Sequence, residues 1–208
     1  MKTVFVASAS LVLVAVAGCA AVVADHQGDA RNNAVALMKS GFQANGQATM
    51  DRLEQDPIQQ ACDGGPDTPQ RSQARARLEK QELDAVKFPA DGKLLGSVAA
   101  GEKIAQTGVG MQWSDKAGSV AGGNCYACHQ ISKQEVSFGN LGPSLYQYGK
   151  LRGDSDAIMR YTWTQIYNAK AHNACSNMPR FGHKGILTEQ QIKDVMALLL
   201  DPKSPVNQ

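Results

Sequence analysis

The sequence predicts an all-α protein, a helical domain over residues 91–208 preceded by an α-helical N-terminal extension over 25–90, on three observations. Beyond the first 24 residues apolar side chains recur at three- and four-residue spacing, capping and breaker residues bracket those stretches, and no strand-like alternation appears. With 208 residues, 43% of them hydrophobic and 19% charged, the chain can bury a core. Its 21 Lys and Arg against 19 Asp and Glu leave a formal charge of +2 without any basic run, which argues against a nucleic-acid partner. Glycine and proline are scattered with no fixed period, so collagen and solenoid readings also fall away.

Residues 1–24 stand apart. Lys2 precedes an uncharged apolar stretch from Val4 to Ala24, the pattern of a bacterial export signal peptide, so the segment is expected to leave the fold. Two processing routes are open: cleavage after Val22-Val23-Ala24, or a lipoprotein box, Val16-Ala17-Gly18-Cys19, with a lipid anchor at Cys19. An uncleaved membrane anchor is a third, since about 20 apolar residues span a bilayer. The expected location is the periplasm.

From Asp25 to about Lys87 the chain is polar, with Met, Leu, Ala, Gln, Arg and Glu at helix-compatible spacing. Helices are expected over Ala48 to Cys62 and Pro69 to Val86, divided by the breakers Asp63-Gly64-Gly65-Pro66-Asp67. Phe88-Pro89-Ala90-Asp91-Gly92 marks a boundary. The next helix runs from Ser97 to Thr107, with Val98, Gly101, Ile104 and Ala105 on one face and Gly108 placed as its stop. Glycine inside a helix costs roughly 1 kcal/mol against alanine, so Gly101 reads either as a close helix-to-helix approach or as simple tolerance. A further helix follows from Ser155 to Tyr167, burying Ile158, Tyr161, Thr162 and Ile166. In the last one Thr188 and Gln191 form a capping box ahead of Ile192, Val195, Met196, Leu198 and Leu199, and Asp201-Pro202 ends it.

Chemistry concentrates at Cys125-Tyr126-Ala127-Cys128-His129, the C-x-x-C-H pattern of covalent haem attachment. Two thiols three residues apart on a helical turn can each add to a haem vinyl group while the following imidazole meets the iron. A zinc site would need a second ligand pair, and a redox dithiol a strand before it; neither is visible. Candidates for the sixth iron ligand are Met111, Met159, Met178, His172, His183 and Cys175. Met178 is preferred, because it lies in a loop and is followed by Pro179, which stiffens the approach. Met159 sits mid-helix, where methionine more often fills a core. A histidine and a methionine together favour electron transfer over oxygen chemistry. Gly142-Pro143-Ser144-Leu145 falls where a turn can set the Pro143 carbonyl against the second nitrogen of His129, fixing its tautomer; an ordinary turn is the alternative. Tyr161, Trp163, Tyr167 and Arg180 are candidate contacts to the haem propionates, with core packing or surface solvation as the competing roles.

On these residues the part from Asp91 to Gln208 resembles a class I cytochrome c domain: leading helix, C-x-x-C-H, Gly-Pro-Ser-Leu, methionine loop and terminal helix. More narrowly, Gly123 to Gln130, Gly142 to Leu145, Tyr148-Gly149-Lys150-Leu151-Arg152-Gly153, Asn177-Met178-Pro179-Arg180-Phe181-Gly182 and Asp201 to Asn207 are similar to the SoxX family, and the extension resembles that of its longer members. The resemblance implies a mono-haem periplasmic subunit bearing one haem c and pairing with a SoxA-like cytochrome. In such SoxAX complexes thiosulfate is joined oxidatively to a cysteine of a SoxYZ-like carrier, and the small subunit relays electrons towards a soluble cytochrome c. The reaction, an L-cysteine S-thiosulfotransferase activity, comes from the resemblance, since the chain itself offers no nucleophile with an adjacent base. A free electron-shuttling cytochrome c is the main alternative, although a shuttle has little use for the extension; a haem-based ligand sensor is a third class, supported only if the sixth position is open.

Haem attachment would consume Cys125 and Cys128, and processing would remove or acylate Cys19. An oxidising periplasm is then expected to pair Cys62 with Cys175. Two buried free thiols, or Cys175 on the iron, are the competing readings.

Overall fold

The computed structural model describes residues 28–64 and 66–208. The expected export signal, with Cys19 and Ala24, lies outside the described residues. Helix α1 covers 28–41, followed by α2 (Pro57–Cys62), α3 (Pro69–Asp84), α4 (Val98–Gln106), α5 (Tyr148–Arg152), α6 (Asp156–Tyr167) and α7 (Glu189–Leu200). Short 3-10 turns occupy Met50–Leu53, Cys125–Ala127, Ala169–Ala171 and Pro205–Asn207. Among the described residues no strand forms, apart from an isolated bridge between Asn45 and Ala48, and no helix is long and apolar enough to cross a membrane. The fold is all-α, as expected.

Two compact units result. One holds residues up to Ala44 and Thr49–Leu53; the other holds Asn45–Ala48 and everything from Glu54 onward. In the first, α1 is exposed along most of its length, Leu37 included, and Phe42 just beyond it is exposed as well.

In the second unit the crossing of α4 over α7 organises the core. A Cβ on Gly101 would lie 2.1 Å from the backbone oxygen of Asp194 and 3.0 Å from the Leu198 Cβ. Gly101 therefore marks a close helix-to-helix approach, not tolerance. The crossing is also hydrogen-bonded: the Gly96 N–H donates to the Lys193 carbonyl (2.9 Å) and the Ser97 N–H to the Asp194 carboxylate (2.8 Å). Thr188 and Gln191 form the expected capping box. Helix α7 is buried from Gln191 to Leu200, beyond the stripe read from its periodicity, because α4, α5, α6 and the C-terminal turn all pack on it. The closing residues have a defined task. Ser204 Oγ donates to the Leu198 carbonyl (2.5 Å) and Asn207 Nδ2 to the Leu199 carbonyl (3.1 Å), satisfying the helix end, while Val206 is fully buried.

Several local expectations shift. The single helix expected over Ala48 to Cys62 divides, because Asp56 caps a new helix at Pro57: its carboxylate accepts the Gln59 N–H and the Gln59 side chain returns to the Asp56 N–H. Helix α4 ends without Gly108 entering the left-handed region. Its last carbonyls are taken by the loop before the cysteines, Gly123 N–H on Ile104 and Asn124 N–H on Thr107, each at 2.8 Å. Helix α1 falls in the extension expected to be helical, though no bounds were expected for it, and α5 was not among the expected helices.

From Glu54 on, the extension belongs to the same compact unit as the haem-motif region. Helix α3 presents a half-buried stripe of Arg71, Ala74, Leu78, Glu79 and Glu82 at helical spacing. Glu79 accepts the Ala174 N–H (2.7 Å), and Glu82 accepts from Asn168 Nδ2 (2.5 Å). Further along, Phe88 stacks on Trp163 with ring centroids 6.3 Å apart.

Candidate haem site

Cys125, Cys128 and His129 leave a single 3-10 turn. Asn124 starts it with φ at 45°, a left-handed conformation that asparagine accepts more readily than most residues. The Cys125 carbonyl then accepts from Cys128 N–H (3.1 Å) and His129 N–H (2.9 Å), which sets both thiols and the imidazole on one turn, as the spacing required. Both thiols are free and half-buried. Burial pushes the Cys125 thiol up to about 12, so the position disfavours a thiolate. Among the described residues no group of three or more His, Cys, Asp or Glu could hold a metal ion.

His129 is buried and its Nδ1 lies 2.7 Å from the Pro143 carbonyl oxygen. Nδ1–H donates to that oxygen, so the free lone pair is on Nε2, the nitrogen left to face iron. Gly142 permits the contact: a Cβ there would fall 2.2 Å from the ring Cε1. The segment is registered on the haem motif by Gly142 N–H on the Cys128 carbonyl (2.9 Å) and Leu145 N–H on the Gln130 carbonyl (2.7 Å). Gly142-Pro143-Ser144-Leu145 is thus a support for His129 and more than an ordinary turn. Tyr126, inside the motif, is buried with its hydroxyl 3.1 Å from both Glu102 Oε1 and Ser132 Oγ, which ties the turn to α4. Burial pushes that phenol up to about 12.

Met178 is half-buried and borders the same apolar cluster as Cys125. The amide Nε2 of Gln165, on α6, lies 3.6 Å from its sulfur. The other ligand candidates are engaged elsewhere. Cys175 is bonded to Cys62, so the expected disulfide is present and an axial Cys175 is removed. Met159 packs against the core, the His172 ring lies tilted against Tyr161 with centroids 4.6 Å apart, and His183 Nδ1 sits 3.5 Å from Glu82. Met111 is exposed.

The propionate candidates need correction. Trp163 is 1% exposed and its indole N–H donates to the Lys87 carbonyl (2.8 Å), so it anchors the end of the extension and has no proton left for a propionate. Arg180 is not solvated. Its guanidinium is buried, paired through Nη2 with Asp56 and lying 3.7 Å through Nη1 from Glu82. Both partners belong to the extension, and neither was legible as a partner from spacing. Tyr161 is exposed beside His172. Tyr167 instead backs the methionine loop, its carbonyl accepting Gly182 N–H (3.1 Å) and His183 N–H (3.0 Å).

These residues fit a covalently held haem: two thiols on one turn, an imidazole oriented by a carbonyl, and a thioether beside the same apolar cluster. The cytochrome c family model matches residues 98–202, from the first residue of α4 to just past α7. A relative from Aquifex aeolicus (strain VF5), named "Uncharacterized lipoprotein", is 36% identical over 155 residues, which is 74% of this chain and 73% of its own length. That stretch is too long to be confined to 98–202, so the likeness runs into the extension. Because the family match takes in the α4–α7 crossing together with the attachment turn it supports, the chain belongs to the cytochrome c family, whose haem c is bound covalently.

Proposed function

We propose that this chain is the mono-haem electron-transfer subunit of a periplasmic SoxAX-like complex, with the thiosulfate-conjugating centre on a SoxA-like partner. Haem c, when bound, supplies one-electron transfer. The chain's own residues do the rest. Cys125 and Cys128 hold the group, and Pro143 keeps the His129 imidazole in the tautomer that offers Nε2. Met178 supplies a thioether, which favours the ferrous state, and the apolar cluster excludes water, which acts in the same direction. With His129 and Met178 both committed, a sulfur substrate has no position to take on this chain. Joining thiosulfate to a carrier thiol would break the S–H bond, form an S–S bond and release one proton to solvent and two electrons, which the haem-loaded subunit would pass singly to a soluble cytochrome c.

Support for a subunit over a free shuttle comes from the fastening of the extension around the methionine loop by Asp56, Cys62, Glu79 and Glu82. A minimal shuttle needs no such addition. The lipoprotein name of the Aquifex relative supports acylation at Cys19 as the processing route, which would tether the complex at the periplasmic face of a membrane. Thiosulfate conjugation to a carrier cysteine, assayed with this chain, with a purified SoxA-like cytochrome and with both, tests the proposal. Turnover is expected only with both. Turnover by this chain alone overturns the relay role, and failure to bind any second cytochrome favours the free shuttle.

A further inference from the structure

Met178 is tied on both flanks to one short helix. Three residues before it, Cys175 is bonded to Cys62, the last residue of α2, with their Cα atoms 5.3 Å apart. Two residues after it, the buried Arg180 guanidinium donates to the carboxylate of Asp56, the N-cap of that same helix. Lys184, a little further on, adds a second cation 3.4 Å from Asp56. The helix is itself well rooted, since Asp56 and Gln59 form a capping box, Pro57 opens the first turn and Ile58 is 1% exposed.

Close packing does not hold this loop by itself. A polar cavity of about 380 Å³ lies beside Met178, lined by Gln55, Gln59, Lys170, Ser176 and Asn177. Cys175, Asn177 and Pro179 are exposed. A segment bordered by polar space and solvent lacks the interlocking contacts that fix a buried side chain. The ties to α2 are the ones nearest Met178 on each side; Glu79 on the Ala174 N–H and the Tyr167 carbonyl on the Gly182 and His183 N–H groups hold the loop further out.

We propose that α2 is a splint for the axial methionine: the Cys62–Cys175 bond and the Asp56–Arg180 pair set how often Met178 leaves its position, and so set the resistance of the haem to competing ligands. This rests on Met178 being the sixth ligand. Asp56 and Cys62 are positioning residues, acting through Arg180 and Cys175. An external ligand binds the form from which Met178 has departed, so its apparent affinity scales with the population of that form. Releasing the splint raises that population without altering the iron's protein ligands.

The test is titration of the ferric full-length holoprotein with imidazole, followed by loss of the methionine-to-iron charge-transfer band. The variants are Cys62→Ser/Cys175→Ser, Asp56→Asn and Asp56→Glu, with Val206→Ala, a core change at the C-terminal turn, as the control for general destabilisation. Serine at both cysteines avoids a liberated thiolate that could itself reach the iron. Imidazole is expected to bind about tenfold more tightly to the double-serine variant and severalfold more tightly to Asp56→Asn, in line with a larger methionine-off population. Asp56→Glu should restore the wild-type value and Val206→Ala should leave it unchanged. If the double-serine variant does not accumulate as holoprotein, the Asp56 pair decides. Imidazole affinity within twofold of wild type in both the double-serine and Asp56→Asn proteins overturns the splint, as does an equal gain in Val206→Ala. A wild-type protein without the band, or a Met178→Ala protein that keeps it, overturns the ligand assignment instead.

Discussion

The Pro143 carbonyl oxygen lies 2.7 Å from Nδ1 of His129, a contact across 14 residues that only a glycine at 142 permits. Gly142→Ala would place a methyl 2.2 Å from the ring carbon. The imidazole must then turn or the segment shift. Reduced holoprotein yield, or a ferric spectrum moved towards high spin, is expected in visible absorption. A full yield of ordinary low-spin protein would show that the ring is not held this way.

Gly101 makes a prediction opposite in sign to helix propensity. On propensity alone alanine gains roughly 1 kcal/mol over glycine in a helix interior. Here the added methyl meets the Asp194 backbone oxygen at 2.1 Å, and overpacking of that kind typically costs about 1–3 kcal/mol. Urea unfolding of Gly101→Ala should show a lower midpoint with the slope retained. A raised midpoint would mean that the helices can separate at no cost.

The Cys62–Cys175 bond closes a loop across 113 residues. In the chain-entropy model such a closure is worth up to about 4–5 kcal/mol, less any strain in the folded state. Thiol titration of denatured, unreduced, haem-loaded protein lacking residues 1–24 should find no free thiol, and two after reduction. Two thiols before reduction would remove the bond.

Asp56 gives the methionine-loop contact a pH dependence. Burial acts to raise its pKa, but the Arg180 hydrogen bond, the Gln59 N–H and Lys184 outweigh it and hold the carboxyl below the usual aspartate value. Around it lie the cations Arg180 and Lys184, the more distant Lys170, the titratable His183, and Glu82 on the other side of Arg180. A carboxyl with a lowered folded pKa stabilises above its unfolded pKa, and that contribution is lost as pH falls through the folded value. Acid unfolding of the wild type should therefore include a step below the ordinary aspartate range. Asp56→Asn, whose amide oxygen can still accept from Arg180 but carries no charge, should lack that step and be less stable at neutral pH by about 1 kcal/mol, the difference between a charge-assisted and a neutral hydrogen bond. An unchanged acid profile in the variant would show that the pair contributes nothing.

What the sequence made legible was local or covalent. The haem motif is five contiguous residues whose spacing follows from thioether geometry, and the Thr188–Gln191 box lies within one turn. Cys62 and Cys175 could be paired by elimination. Gly101 was ambiguous because propensity records its cost but not the partner that explains it. Arg180 with Asp56 and Gln165 with Met178 depend on docking between elements distant in sequence, which no local pattern reports. Trp163 stayed open between a propionate contact and the core because helical spacing alone does not tell a buried aromatic from a solvent-facing one. Helix α5, with five residues, is too short to show a period. The break before Pro57 was present in Asp56-Pro57, but the helix-forming residues on either side obscured it.

The near-infrared spectrum of the ferric protein, recorded for wild type and for Met178→Ala, tests the central claim most directly. A chain that fills both axial positions with His129 and Met178 shows the methionine-to-iron charge-transfer band in the wild type and loses it in the variant, with a lower reduction potential. A wild-type spectrum without the band, or a variant that retains both band and potential, would contradict a closed electron-transfer haem held by these two residues.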